Sequence, residues 1–407
     1  MAQRIGTRTT AHSISESRAI RIVGDAGLLL QPTEQPLVTF LLNLSRGPSV
    51  KGTKLEWFEE DYIERWVSAA NTYDSNDTDI EVSDASVIVV GDVLLVPKAV
   101  DDSAAPEQML VTAVNYGTDT LTVTRAFAGT TGAAITNGDA IAILGQAFAE
   151  ATTYPESKVR IPTGKTTYTQ IFKKTKKISG TQAATEIYAA NLQGGSGDER
   201  AKQHELMLRE MKIAMNRQFY WGKASEDLAD PDAPIRTTMG LNSEVTTNVF
   251  DAGGILTRKA MEEFSRDAFR YGASTKILMC APKIISAIHA WGDSFMQVGP
   301  REKVYGVSIN RVVTGHGEWI LVRDWSLEDG VAGKNGFSGW AFSLDPAELE
   351  YGHLAFGKEN RDLKIYQDVD LGRANDRYVD LALAEVYFKV KHEKKHAKLF
   401  NVADYAS

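Results

Sequence analysis

Val386-Tyr387-Phe388-Lys389-Val390-Lys391-His392-Glu393-Lys394-Lys395-His396 is the stretch on which the reading of this chain turns. Its last five residues match the His-Glu-x-x-His pattern of zinc hydrolases. On a helix, His392 and His396 would share a face and hold the metal, and Glu393 would activate water. Its first six residues instead alternate like a strand, as do Val379-Asp380-Leu381-Ala382-Leu383 before them. Lys391, Lys394 and Lys395 would oppose a dication. Eleven residues follow His396, and Asp404 is their only acid, so a third ligand downstream is scarce. The strand reading predicts that the pentapeptide is the run-out of a strand, with no metal, cofactor or catalytic residue.

The rest of the composition is that of an ordinary globular chain. With 407 residues, 43% hydrophobic and 24% charged, two or three domains are expected. A net charge of −8 argues against general electrostatic wrapping of DNA. The lone Cys280 lies in the apolar run Lys276-Ile277-Leu278-Met279-Cys280, which predicts a small buried hydrophobe and excludes a disulfide within the chain. No run reaches the ~18 apolar residues of a membrane span. Arg4, Arg8, Arg18 and Arg21 flank no apolar core, so the first 30 residues read as a loosely ordered arm rather than a secretory signal.

Working back from the final strands, the organisation is uneven. Leu37-Val38-Thr39-Phe40-Leu41-Leu42 follows two prolines and reads as the anchor of the arm. Lys54-Leu55-Glu56-Trp57-Phe58-Glu59-Glu60-Asp61 mixes aromatics with charge, as would an extended element that meets a partner or a strand edge kept soluble by its charges. Between Asn71 and Thr153, turn signals separate short β-type runs at Ser86–Val90, Val93–Val96, Met109–Val114, Leu121–Thr124 and Ala140–Leu144. They predict a small all-β module whose ends lie close together, inserted into a longer excursion that Tyr168–Phe172 would close as the return strand. Ser196 and Glu199 form a capping box opening the clearest helix, with Leu208, Met211, Met215 and Phe219 as its buried stripe and Gly222 as a left-handed stop. A helix from Thr257 to Gly272, a strand through Cys280, a helix from Pro282 to Gly292 and a hairpin around Thr314–Glu318 follow. Helices interleaved with largely antiparallel strands predict an α+β fold.

Other chemical signals are weaker. Val159–Thr166 is a near miss to a phosphate-binding loop, but its first glycine is replaced and Pro162 removes an amide donor. His316, Glu318 and His353 lack metal-ligand spacing. The cluster Lys173, Lys174, Lys176 and Lys177 reads equally as a solvated strand face or as a surface meeting phosphates or an acidic neighbouring subunit.

Taken in order, Pro32–Leu37, Lys54–Trp57, Thr169–Lys174, Ile178–Gln182, Asp198-Glu199 and the final Glu385–Ala397 resemble a tailed-bacteriophage major capsid protein of the Hong Kong 97-type fold. The resemblance covers nearly the whole chain. It implies an N-terminal arm at 1–45 and an extension loop at 46–73 and 154–180 that lies over a neighbouring subunit. The β-rich insertion would be 74–153. A peripheral domain with a long spine helix would occupy 181–250 and 346–407, and an axial domain 251–345. It implies a non-enzymatic virion protein, assembled in the host cytoplasm into hexamers and pentamers around double-stranded DNA. Portal, scaffold or decoration proteins are the further partners it implies, and no membrane. The assembly contacts expected are Lys54, Trp57, Phe58, Glu59, Asp61 and Trp66, with Lys173, Lys174, Lys176 and Lys177. A cellular nanocompartment shell of the same fold and the zinc hydrolase are the alternative readings.

Overall fold

The strand reading of the final segment holds: Arg377–Val390 is one continuous strand. Ala382, Ala384, Val386, Phe388 and Val390 alternate into a core, as a sheet with one covered face requires. Gln170–Ser179 pairs antiparallel along one edge, from Arg377 to Val386. Leu349–His353 and Lys364–Tyr366 share the other edge. Gly352, opposite Tyr387, has to be glycine because a Cβ there would lie 2.5 Å from the Tyr387 ring. A computed structural model of the chain describes residues 35–44, 47–61, 65–97, 106–155, 157, 161–184, 199–291, 302–304, 307–327, 336–356, 359–369 and 376–405. It divides into two compact units, Met1–Trp57 with Lys165–Ser407, and Phe58–Gly164.

The helix Glu199–Trp221 covers the sheet. Its buried row is Met207, Met211, Met215 and Phe219, beginning one residue before the Leu208 expected. Leu208 is only half-buried. Rows of every fourth residue run obliquely across a helix, and this one ends where Phe219 meets the Phe388 and Tyr351 rings, at 5.1 and 6.0 Å. Each such side chain contributes about 1.5–3 kcal/mol by burial. Ser196, Gly197, Asp198 and the arm to residue 34 lie outside the described residues. Gly222 ends the helix without a left-handed conformation. Space demands glycine there, since a Cβ would lie 2.5 Å from the Gln218 carbonyl oxygen. The Leu37–Leu42 run is a helix, Pro36–Leu44, with Leu37, Val38, Phe40 and Leu41 in the same core.

A second, seven-stranded mixed sheet runs in the order 249–256, 397–405, 341–344, 275–280, 318–323, 307–313, 302–304. Its strand Thr275–Cys280 is apolar from Ile277 onward because both faces are covered. Ile277 and Met279 enter the first core. Leu278 and Cys280 enter another, beneath helices Arg258–Ala268 and Pro282–Trp291. Thr257 caps the former helix, its hydroxyl accepting the Ala260 N–H at 3.2 Å. The predicted hairpin is present, and Gly292 lies outside the described residues.

Phe58–Gly164 carries its own six-stranded antiparallel sheet, in the order 66–68, 140–146, 92–96, 107–115, 120–124, 79–81. Two expectations shift. Trp66–Ser68, placed by the sequence in the extension, is an edge strand of this sheet. Ala85–Val87 is a 3-10 turn rather than a strand, because Asp84 caps it by accepting the Ser86 N–H. The unit is pinned internally by a buried ion pair. Arg125 Nε and Nη2 meet Glu107 at 2.8 and 2.7 Å, and Arg125 Nη1 reaches the Asp74 and Asp77 carbonyls. Ala126 and Ala133 donate main-chain hydrogen bonds to the same carboxylate. The expected return strand is also divided: Thr163–Tyr168 pairs with Lys54–Glu59, and Gln170 onward joins the sheet of Arg377–Val390. A long helix on a sheet, with further sheets and helices around it, makes the α+β arrangement expected.

Candidate functional site

The His-Glu-x-x-His pentapeptide is a tied turn. His392 adopts φ 46°, and Glu393–Lys395 form one 3-10 turn, so no helical face carries both histidines. Glu393 is fully engaged, accepting the Thr246 N–H at 2.7 Å and the Thr247 hydroxyl at 2.6 Å. Burial raises its carboxyl, but the hydrogen bonds from Thr247 and Thr246 outweigh that and hold it below the ordinary range. His396 is fully buried, with Nδ1 accepting the Asp345 N–H. Burial, reinforced by Lys276, pushes it down to about 4. Lys276 donates to the Ala268 and Tyr271 carbonyls at 2.6 and 2.7 Å and also to that of Lys395, binding the turn to the C-terminal end of a helix. Burial lowers this lysine to about 8. The arrangement stitches distant segments together and commits both Glu393 carboxylate oxygens to hydrogen bonds. The phosphate-loop near miss fails likewise, since Thr163–Thr166 lie in a strand.

Exposed groups concentrate elsewhere. Lys54–Glu59 alternates, with Leu55, Trp57 and Glu59 half-covered and Lys54, Glu56 and Phe58 open. Lys54 and Glu56 pair with each other on the open side, where solvent screens the contact. Lys389 Nζ lies 4.5 Å above the Trp57 ring, so this tryptophan is partly occupied within the chain. Phe58 is 78% exposed, and Asp61 is exposed just beyond the strand. Trp66 is 51% exposed on the edge strand of the inserted sheet.

The lysine cluster separates by the two-residue period of a strand. Lys174 and Lys176 face the long helix and meet Glu210 at 3.4 and 3.2 Å. Burial raises the Glu210 carboxyl, and the two lysines, Lys176 foremost, more than offset it. Lys173 and Lys177 are exposed on the other face. Glu210 was missed in the sequence because its partners are some thirty residues earlier; only the helical register of an acid off the apolar stripe hinted at it.

A second missed cluster is centred on Asp380. Arg200 Nε donates to it at 2.7 Å, His204 Nε2 lies 2.6 Å away and the Asp368 N–H donates at 3.0 Å. The Arg200 hydrogen bonds hold Asp380 well below the usual carboxylate range. The signal available was an acid in phase with the apolar row Ala382, Ala384, Val386 and Phe388. Cys280 is buried, and burial pushes its thiol up, as the hydrophobe reading requires. No group of His, Cys, Asp and Glu among the described residues could hold a metal, and no described helix is long and apolar enough to cross a membrane.

Solved structures similar to the chain include a capsid of a native GTA particle, at 8% identity and TM-score 0.47, covering 95% of this chain and 97% of that one. Microbacterium phage Oxtober96 follows at 10% identity and TM-score 0.44, covering 94% and 95%. The holo-SrpI encapsulin complex from Synechococcus elongatus PCC 7942 matches at 12% identity and TM-score 0.42, covering 61% and 79%. No curated protein matches. The family model described as SU10 major capsid protein matches residues 7–403, nearly the whole sequence, and the chain belongs to that family.

Proposed function

We propose that this protein is the shell subunit of a phage head, closing with copies of itself into hexamers and pentamers around double-stranded DNA and acting without catalysis. The observation that carries this reading is Phe58, 78% exposed on a two-stranded ribbon. An isolated ribbon is marginal in water, and an exposed aromatic on it is surface that a neighbouring copy can bury. In this reading the ribbon within 46–73 and 154–180 is the extension loop, lying over the next subunit. The helix Glu199–Trp221 is the spine of the peripheral domain formed by 181–250 and 346–407, and 251–345 is the axial domain. The arm at 1–45 and the inserted unit complete the chain, with portal, scaffold or decoration proteins as further partners in the host cytoplasm. Electron microscopy of the purified protein is the test. Shells or capsomers are the expected result; a strict monomer at every salt concentration and pH overturns the reading.

A further inference from the structure

We propose that the cleft between the end of helix Arg258–Ala268 and the turn Thr314–Gly317 binds a phosphomonoester carried on a planar ring, the chemistry of a nucleoside monophosphate. Such a site stands whether or not the chain closes into shells, and it gives a role to His316, which the shell reading leaves unused.

The cleft measures about 530 Å³ and is lined by Arg266, Asp267, Phe269, Arg270 and His316. Local geometry fixes its walls. Thr314 Oγ1 accepts the His316 and Gly317 N–H groups at 3.4 and 3.2 Å, which sets the turn that carries the imidazole. Gly317 lies against Phe269, since a Cβ there would fall 2.6 Å from the ring. Phe269 also packs on the buried Trp319 ring, at 5.3 Å. The phenyl ring is therefore held in place while staying half-exposed.

The charges favour an anion. Arg266 and Arg270, four residues apart across the helix end, are both exposed. Arg270 lies 5.4 Å over the Tyr271 ring and has no ion pair among the described residues. Arg266 pairs with its neighbour Asp267 at 3.0 Å, a solvent-exposed contact that a stronger acceptor displaces. His316 Nε2 stands 3.9 Å from Glu262, also in the open. The free carbonyls of a helix C-terminus ordinarily oppose an anion. Here the buried Lys276 takes the Ala268 and Tyr271 carbonyls and lies 5.8 Å from the centre of the Phe269 ring, so a cation backs the site instead.

A guanidinium fork matches the oxygens of a phosphate, and two of them can share a dianion. At about 530 Å³ the cleft has the size of a site for a small organic ligand rather than for a bare anion. Phe269 is the apolar member of the lining, and a flat ring stacks on a half-exposed phenyl. Inorganic phosphate would leave that ring wet, and a duplex keeps its bases out of reach of it. A mononucleotide or the phosphorylated end of an unpaired strand uses both parts of the cleft.

The test is isothermal titration calorimetry of the full-length protein with deoxyadenosine monophosphate, with inorganic phosphate and with deoxyadenosine. The nucleotide should bind saturably and at least about tenfold more tightly than either fragment. Arg266→Gln and Arg270→Gln, at exposed positions that the fold does not need, should each weaken it about tenfold. Phe269→Leu should weaken the nucleotide by about the same factor and leave inorganic phosphate unchanged. If circular dichroism shows that this last variant does not fold, the two arginine variants decide. Competition separates the two sources of the ligand. Displacement by an end-phosphorylated oligonucleotide identifies the strand end, and its failure to compete identifies the free nucleotide. No saturable nucleotide binding, unchanged affinity in both arginine variants, or equal displacement by an unphosphorylated oligonucleotide overturns the assignment.

Discussion

His396 holds the main chain of Asp345: its Nδ1 accepts the Asp345 N–H at 3.2 Å from a fully buried ring. That acceptor exists only while the ring is neutral at Nδ1, so protonation both buries a charge and breaks the bond.

The folded His396 titrates near 4 against 6.5 for an ordinary histidine. Between these values the unfolded chain binds the extra proton, so stability falls as pH drops through that window. The loss is on the order of 3 kcal/mol by pH 4. Denaturant unfolding of the subunit across pH 7 to 4 should show the slope, and His396→Gln should flatten it. An unaltered slope in the variant would refute the assignment.

Asp380 binds Arg200, His204 and the Asp368 main chain together. Asp380→Asn should cost about 2–3 kcal/mol, because it leaves a partly buried guanidinium with only the half-exposed Asp368 as counter-charge. The depressed carboxyl stabilises the fold above the ordinary aspartate range and loses that contribution in stronger acid. The variant should therefore show less destabilisation relative to wild type in acid below pH 4. Thermal melts at pH 7 and pH 3 check both points.

Glu107 is wholly buried with Arg125 in the inserted unit. Glu107→Gln should weaken that unit by about 3–5 kcal/mol, since removing one partner strands a buried cation. Hydrogen exchange should rise across residues 66–146 and stay unchanged in Arg377–Val390. Uniform acceleration over both units would show that they unfold together.

The insertion should be removable at wider limits than its sequence signals suggest. Lys54 interacts with Tyr168, and a Cβ at Gly164 would lie 3.7 Å from Phe58, so the two ribbon strands run antiparallel. Replacing 60–162 with a short Asn-Gly turn should therefore close a hairpin and leave the remaining unit folded. Removing only 74–153 would leave the Trp66–Ser68 strand unpaired. A cooperative melt from the first deletion and aggregation from the second are the expected outcomes.

Period-two and period-four patterns were legible in the sequence: the final strand, the methionine helix, the both-faces-apolar strand through Cys280 and most of the inserted strands. Each is a local alternation that burial enforces residue by residue. The expectation failed where a capping side chain overrode alternation or where a distant partner chose the register. The run Ser86–Val90 looked like a strand, but Asp84 bends it into a turn. The buried helical row began at Met207 because the sheet beneath chose the register.

The sequence by itself determined that His392-Glu393-x-x-His396 follows a strand, and so that its histidines do not share a helix face. Only the tertiary structure decided what those residues do: Glu393 grips Thr246 and Thr247, and Lys276 gathers three carbonyls beside His396. Alternation is written in neighbouring residues, whereas the partners of Glu393 and of Lys276 at Lys395 lie more than a hundred positions away. Such pairings arise only when packing brings distant segments into hydrogen-bonding range. The same holds for the lysine strand, where composition shows four charges and the fold alone separates the two that share Glu210 from the two exposed on the other face.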